Sequence, residues 1–592
     1  MRLITEIIPT QTPVQVIRPT YRLFKYLQSS LLVLLSLVFI PWLLYLIQSA
    51  ALFSSVKCGL SSLTSGKFSK AATCARFTKR TTLVLRPQTK FIIGANPIFT
   101  ALGLPPFPSL DSANYLSEAI LLSSQIGERG YPPDVAVLAP LLARLSETLG
   151  FLQTSLQTVP RLQPLVSQVV SARTLVSRIQ PLVSALPQLL AVNSKSLVLI
   201  LIQDQTELRP TGGYLHLFAL ASLESGRITD IQIYDTSSTD TQLRGQVSPP
   251  VDLQRAIGES SWYLRDANWD PDFPTSASRI AWFISKELSI QPDLVVSLNL
   301  TTLVQLLDIT GPVNAITSKN FYDQYFTSLK SDPNSSQFLI NLSQSLFSRL
   351  QSLPPSRLSK ALVIFLSSLY NRQIFITPLS ITVPQLTTAG WSGGVALSAC
   401  RSTLPCLNSY LYAVDSNVGV NKANAFITRK AQVEAKITPG QISYTYRLTL
   451  SNSSPDATWP AGNYKNYLRV FLPPQIKNPA VLINNQPLSE YYVSSEHNLS
   501  AVGFASDTAP GATTAIDITW FEELPTTSRF HYQLDLPNQP GVPPYPVAVT
   551  VTYPSGWFAT TATVPTIASA GQLQYNLSLS RQIQIDVDFA RP

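Results

Sequence analysis

The alternation of apolar and polar positions breaks most sharply between Leu197 and Thr211. LVLILIQDQTELRPT is an aliphatic run that turns into charge just before Gly212 and Gly213, and a second apolar run, Tyr214 to Leu223, follows at once. The pattern predicts two buried strands joined by a sharp, charged connection. Charged residues at the lip of a sheet are where ligand sites concentrate, so this connection is the first candidate site. Beyond it, Ile228 to Tyr234 predicts a strand ending at Asp235, and Pro274 to Leu288 an amphipathic helix. Leu294 to Leu300 reads as a strand, Thr301 to Leu307 as a helix, and Gly311-Pro312-Val313 as a turn toward another strand. Residues 321–370 are mostly helical in pattern, and Ile374 to Ile376 returns to strand. Strands alternating with helices over 196–430 predict an α/β domain.

The flanks differ. From Ser112 to Asn193 apolar residues recur at three and four, interrupted by Pro160, Pro164, Pro181 and Pro187, which predicts a helical stalk over 57–195. Within it, Gly59 to Arg80 reads as two short helices around Ser65-Gly66. In the tail, 431–592, Ile442, Tyr444, Tyr446, Leu448 and Leu450 alternate strictly with polar residues. Several such runs, separated by Pro- and Gly-rich turns, predict an antiparallel β-sandwich of immunoglobulin type.

Tyr26 to Val56 carries no charge, and its centre, Leu31 to Ile47, is almost wholly apolar. That centre alone is about 26 Å of helix, and its flanks extend it across a core of roughly 30 Å. One uncleaved transmembrane helix over 26–56 is expected, with residues 1–25 as a cytoplasmic tail. Arg18, Arg22 and Lys25 precede it, but Lys57, Lys67, Lys70, Arg76, Lys79, Arg80, Arg86 and Lys90 follow without an acidic residue between them. The positive-inside rule therefore gives no orientation. The cysteines do: Cys58 with Cys74 and Cys400 with Cys406 suit two short-loop disulfides outside the cytoplasm, against the alternative of four reduced thiols. The bulk of the chain is expected outside, on a single-pass anchor in the cell membrane.

Only 13% of the residues are charged, and the net charge is +9. An anionic membrane or polymer suits that balance. Nucleic acid does not, since no zinc knuckle or RNP-like run accompanies the charge. The three histidines, His216, His497 and His531, come without a GxSxG serine, so neither a hydrolytic triad nor a zinc site is supported.

Two clusters carry candidate chemistry. Arg209 beside Glu207 is either a structural ion pair or a bidentate anion ligand, and Gly212-Gly213 either a backbone device or a phosphate nest. WYLRDANWDPDFPTS, Trp262 to Ser276, packs Arg265, Asp266, Asp270 and Asp272 among Trp262, Tyr263, Trp269 and Phe273. Asp266 and Asp270 would suit a magnesium ion on a pyrophosphate, and the aromatics would line a sugar or lipid groove. The plainer reading is a loop whose aspartates cap backbone N–H groups where Thr275 or Ser276 starts a helix.

QDQTELRPTGGY, YLRDANWDPDFPTSA, LLDITGPV and AVDSNVGVNKANAFITR resemble the domain-of-unknown-function 4012 family of bacterial membrane-anchored envelope proteins. NYKNYLRVFLPP and LDLPNQPGV are similar to the β-domain that usually follows. The α/β segment also distantly resembles the LytR–CpsA–Psr domain, whose members transfer glycopolymers from lipid pyrophosphate carriers. That resemblance implies a mixed sheet with helices, and a catalytic set of Arg209, Asp235, Arg265 and Asp266. Gly212, Gly213, Trp269, Asp270 and Lys422 complete the ligand-binding candidates. Tyr234 stands where an arginine precedes that aspartate, and Pro312 where a second glycine is usual. Asp204 and His216 replace the asparagine and glycine of the closer family. The departures favour a non-catalytic binding or assembly protein at the cell surface, partnered by the membrane, by a lipid-linked glycan or cell-wall polymer, and by other envelope proteins. The alternative is a magnesium-dependent phosphotransferase moving glycopolymers from lipid carriers to the envelope.

Overall fold

The LVLILI run folds as β1 (Lys195–Asp204), the central strand of a five-stranded sheet. β2 (Tyr214–Glu224), β3 (Arg227–Asp235), β4 (Leu294–Asn299) and β5 (Ile374–Pro378) complete it in the order β3-β2-β1-β4-β5. β1 runs antiparallel to β2 and parallel to β4, with a bulge between Ile202 and Gln203. A continuous aliphatic strand needs cover on both faces, and both are covered. Leu199 and Leu201 pack with α1 (Phe273–Leu288) through Phe273, Ala277, Ile280, Phe283 and Ile284. On the other face Val198 and Ile202 meet α2 (Leu300–Thr310), α3 (Phe321–Ser331), α4 (Gln337–Gln351) and α5 (Pro355–Tyr370). The expected strand after Gly311 is reduced to a single bridge between Val313 and Ile316.

The computed structural model describes residues 48, 50–63, 65–94, 110–128, 135–157, 163–189, 194–332, 336–400, 402–561 and 563–591. Of the expected anchor over 26–56, only residues 48 and 50–56 fall among these, and they are helical. Among the described residues no helix is long and apolar enough to cross a membrane. The chain divides into two compact units at the Ser177/Arg178 junction.

In the first unit, helix 50–63 turns at Ser65-Gly66 into helix Phe68–Gly94. The second helix outruns the expected end at Arg80, because the apolar spacing continues through Thr82 and Leu85, both buried. Small side chains, Ala71 and Ala75, bring it close to Ile120 of Asp111–Glu128, and Glu118 accepts from Lys79 (2.6 Å) and Arg144 (3.0 Å). Cys58 is bonded to Cys74.

The second unit is mixed α/β followed by a β-rich region. That region begins earlier than expected. β6 (Cys406–Tyr410) and β7 (Tyr412–Asn417) already pair with tail strands, β6 with Arg529–Leu536 in parallel and β7 with β10 (Tyr464–Leu472). β8 (Ile427–Thr438) and β9 (Gln441–Asn452) form a long antiparallel hairpin at the middle of an eight-stranded sheet. β8 also runs parallel to Tyr545–Thr552, so the tail is not wholly antiparallel. Cys400 is bonded to Cys406.

Glu287, on α1, is buried with neither carboxylate oxygen hydrogen-bonded among the described residues. Burial, with Asp240 nearby, pushes it up to about 8. A pKa raised on folding favours the fold below the ordinary carboxyl value and costs stability as pH climbs toward 8. Glu287→Gln is therefore expected to gain stability over wild type progressively between pH 4.5 and 8, as read by denaturant midpoints. A pH-independent difference would contradict this.

Candidate functional site

The connection between β1 and β2 is buried throughout, from Gln203 to Gly213. Charge and polarity survive there because each group finds a partner, many of them far away in sequence. Gln205 accepts from Leu300 N and donates to Tyr322 (2.7 Å) and Thr301 (2.8 Å). Asn268 donates to Gln203, Thr211 and the Gly213 carbonyl. Asn417 N donates to Leu208 O (2.9 Å), and Leu208 N to Asn424 Oδ1 (3.0 Å). A Cβ on Gly213, whose φ is +155°, would lie 2.3 Å from the Asp204 carbonyl carbon, so the two ends of the connection touch backbone to backbone.

Its charged groups form a closed chain. Lys422 Nζ lies 2.7 Å from Glu207 Oε2 and 3.1 Å from Asp204 Oδ2. Arg209 NH2 lies 3.3 Å from Glu207 Oε1, and its Nε donates to Asp266 Oδ1 at 3.0 Å. Arg209 also donates to the Asn417 carbonyl (2.6 Å). Arg265 continues the chain to Asp240 (3.1 Å) and Glu259 (3.2 Å). Burial alone would raise Asp204, but Lys422, His216 and the hydroxyls of Thr206 and Tyr325 outweigh it and hold the carboxyl at about 2. His216 is held down at about 4 by burial and by Lys422. Asp204 and His216 thus sit together beside the same ammonium, Asp204 Oδ2 at 3.1 Å and His216 Nε2 at 3.4 Å from it.

Arg209, Arg265, Asp266 and Lys422 are therefore brought together, while Gly212 packs near Gln203 and Pro540 and Gly213 against the Asp204 backbone. They meet one another rather than an open groove. Asp235 stands apart: it caps the short helix Thr236–Asp240 through Ser238 N (2.7 Å) and accepts from Ser336. Tyr234 stacks on Phe218. The magnesium expectation does not fit. Asp266 faces two guanidinium groups, which repel a cation, whereas Asp270 accepts from Asp272 N and pairs with His497 (2.8 Å). Among the described residues no group of three or more His, Cys, Asp or Glu side chains is placed to hold a metal ion.

Trp269 and Asp270 belong to something else. They line a cleft of about 470 Å³ with Trp262, Asp252, Ser276, Arg279, Arg469 and Glu496. Trp262 is oriented by its indole N–H, which donates to Asp266 O (3.1 Å), tying the cleft wall to the buried charge chain. Asp272 caps α1 through Thr275 N (3.1 Å) and accepts from Val395 N (2.8 Å), so the plainer reading holds for that aspartate. Trp269 stacks on Tyr467 (5.9 Å) and lies under the Arg469 guanidinium (5.2 Å). Arg469 pairs with Glu496 (3.2 Å) and donates to the Trp269 carbonyl. The indole N–H of Trp269 and Nε of Arg469 have no hydrogen-bond partner among the described residues.

Residues 194–327 match the DUF4012 family. The family is described as a protein of unknown function. No curated protein matches the chain. A Legionella pneumophila structure, described as a candidate nutrient-binding protein, is similar over 27% of this chain and 67% of its own, with 10% identity and a TM-score of 0.19. The DUF4012 segment contains β1 to β4, the charged connection and both cleft tryptophans, whereas Lys422, Arg469 and Glu496 come from outside it.

Sequence reading missed Arg469, Glu496, Asp252 and Arg279. Only Arg469 left a signal: it interrupts Tyr467 to Leu472, YLRVFL, where a charge in a buried strand requires a partner.

Proposed function

We propose that the chain is a membrane-anchored envelope protein that binds a saccharide, without catalysis, in the cleft walled by Trp262 and Trp269. The observation that carries this reading is the cleft itself, with two indoles in its wall and ion-paired side chains at its rim. Aromatic faces take the C–H side of a sugar ring, and paired carboxylates and guanidinium groups take its hydroxyls. An alkyl chain would leave Asp252, Asp270 and Glu496 desolvated against it. A nucleic acid would meet the same three carboxylates with its phosphates.

Non-catalytic binding is supported by the state of Arg209, Asp266 and Lys422, each buried and already met by opposite charge. The envelope setting is supported by the uncharged stretch over 26–56 and by the two disulfides, which persist where the surroundings are oxidising.

The test is retention of the full-length protein, in detergent, on an immobilised array of oligosaccharides. Trp262→Ala is expected to weaken the bound glycan by roughly 10- to 30-fold, the scale of losing an anchoring aromatic. Retention of no glycan, or affinity untouched by the substitution, would sink the reading.

A further inference from the structure

The cleft does not end at its tryptophans. It shares Thr275 and Arg279 with a shallower depression of about 560 Å³ that runs over the exposed face of α1 through Pro274, Ser278 and Trp282. Arg279 is the hinge between them. Its guanidinium lies 4.9 Å from the Trp262 ring and 5.6 Å from the Trp282 ring. Lys286 also approaches Trp282, with Nζ 5.8 Å from the ring. Residues 279, 282 and 286 fall at the three- and four-residue spacing that puts side chains on one helix face. Trp282 is 36% exposed, which leaves part of its ring open to a ligand.

Charge changes along this path. The deep end holds Asp252, Asp270 and Glu496, which pair with Arg255, His497 and Arg469. The shallow end has no carboxylate in its lining. Among the described residues neither Arg279 nor Lys286 makes an ion pair, and both sit on indole faces that hold a cation without neutralising it. A groove with an acid-bearing, charge-paired end and a purely basic aromatic end selects a ligand with its own polarity.

We propose that the saccharide is an acidic one, resting on the reading of the cleft as a saccharide site. One ring occupies the Trp262–Trp269 cleft, and a neighbouring ring bearing a carboxylate, phosphate or sulfate lies on Trp282 with its charge on Arg279 and Lys286. A guanidinium with free N–H groups takes such an anion in bidentate fashion.

The probes are matched oligosaccharide pairs, a uronic-acid-containing tetrasaccharide and its carboxyl-reduced counterpart, titrated into the full-length protein by calorimetry with inorganic phosphate as a third arm. The acidic member is expected to bind about tenfold tighter, the scale of a charge-assisted hydrogen bond. That margin should shrink as salt rises from about 50 to about 500 mM. Arg279→Gln is expected to bring the acidic member to within about threefold of the neutral one, a ratio that any loss shared by both members through its place in the cleft lining leaves unaltered. Equal affinity of the pair on wild-type protein, or an acidic preference that survives Arg279→Gln, overturns the inference while leaving the saccharide site standing. Binding of phosphate with no preference between the oligosaccharides also overturns it, since the basic end would then be a free-anion site. Binding of neither member overturns both readings.

Discussion

Lys422→Met is expected to lower the unfolding free energy by about 3–5 kcal/mol, the scale of breaking a buried ion pair from one side. The ammonium is the shared counter-charge of Asp204 and Glu207, at 3.1 and 2.7 Å, and all three are buried. Methionine fills the volume but leaves Asp204 without its ammonium partner and Glu207 with Arg209 alone. The pH dependence gives the sign. In the wild type Asp204 is held at about 2, below its ordinary 3.8, so its contribution is complete above pH 3.8 and lost as pH falls toward 2. In the variant that depression disappears. The penalty should be largest near neutrality and should shrink as the carboxyls protonate below pH 5. Adding Asp204→Asn should recover part of the loss, because a neutral amide removes the charge left unpaired. Chemical denaturation of the three proteins decides it, and a loss under about 1 kcal/mol for Lys422→Met would mean that water reaches the site.

Gly213→Ala is the second large effect, and it tests the same connection through the backbone. The added Cβ would stand 2.3 Å from the Asp204 carbonyl carbon and 2.4 Å from its oxygen, neither of which can rotate away, at a φ of +155°. Overpacking and backbone strain together are expected to cost about 3–5 kcal/mol. Gly258→Ala is the control: its φ is also positive, +80°, but nothing lies within 4 Å of the new Cβ. It should lose only about 1–2 kcal/mol, the conformational term alone. Similar melting temperatures for the two variants would show that the strand ends can separate.

The five strands of the α/β sheet and α1 were legible because apolar periodicity is a local property. LVLILI must be buried on both faces, and Ala277, Ile280, Ala281 and Ile284 must share a helix side. The charged connection was misjudged for a reason equally physical. Charge following a strand is ordinarily exposed, and nothing local in QDQTELRPTGG indicates that Asn417, Lys422, Asn424 and Gln539 close over it. The burial of Arg209 is written in the sequence 200 residues downstream. The cleft was half legible for the same reason. Trp269 and Asp270 stood out by local density of aromatic and acidic residues, while Arg469 and Glu496 arrive from strands whose alternation reads as plain β-structure.

The central claim is a division of labour, in which the charged connection locks the fold and the neighbouring tryptophan cleft binds. Its most direct test compares glycan affinity and melting temperature for Lys422→Met and Trp262→Ala, each measured well below its own melting point. Lys422→Met should melt earlier yet bind as wild type does while folded. Trp262→Ala should melt within a few degrees of wild type yet bind at least about tenfold more weakly. A folded Lys422→Met protein that no longer binds would put the ligand on the buried charges and contradict the account.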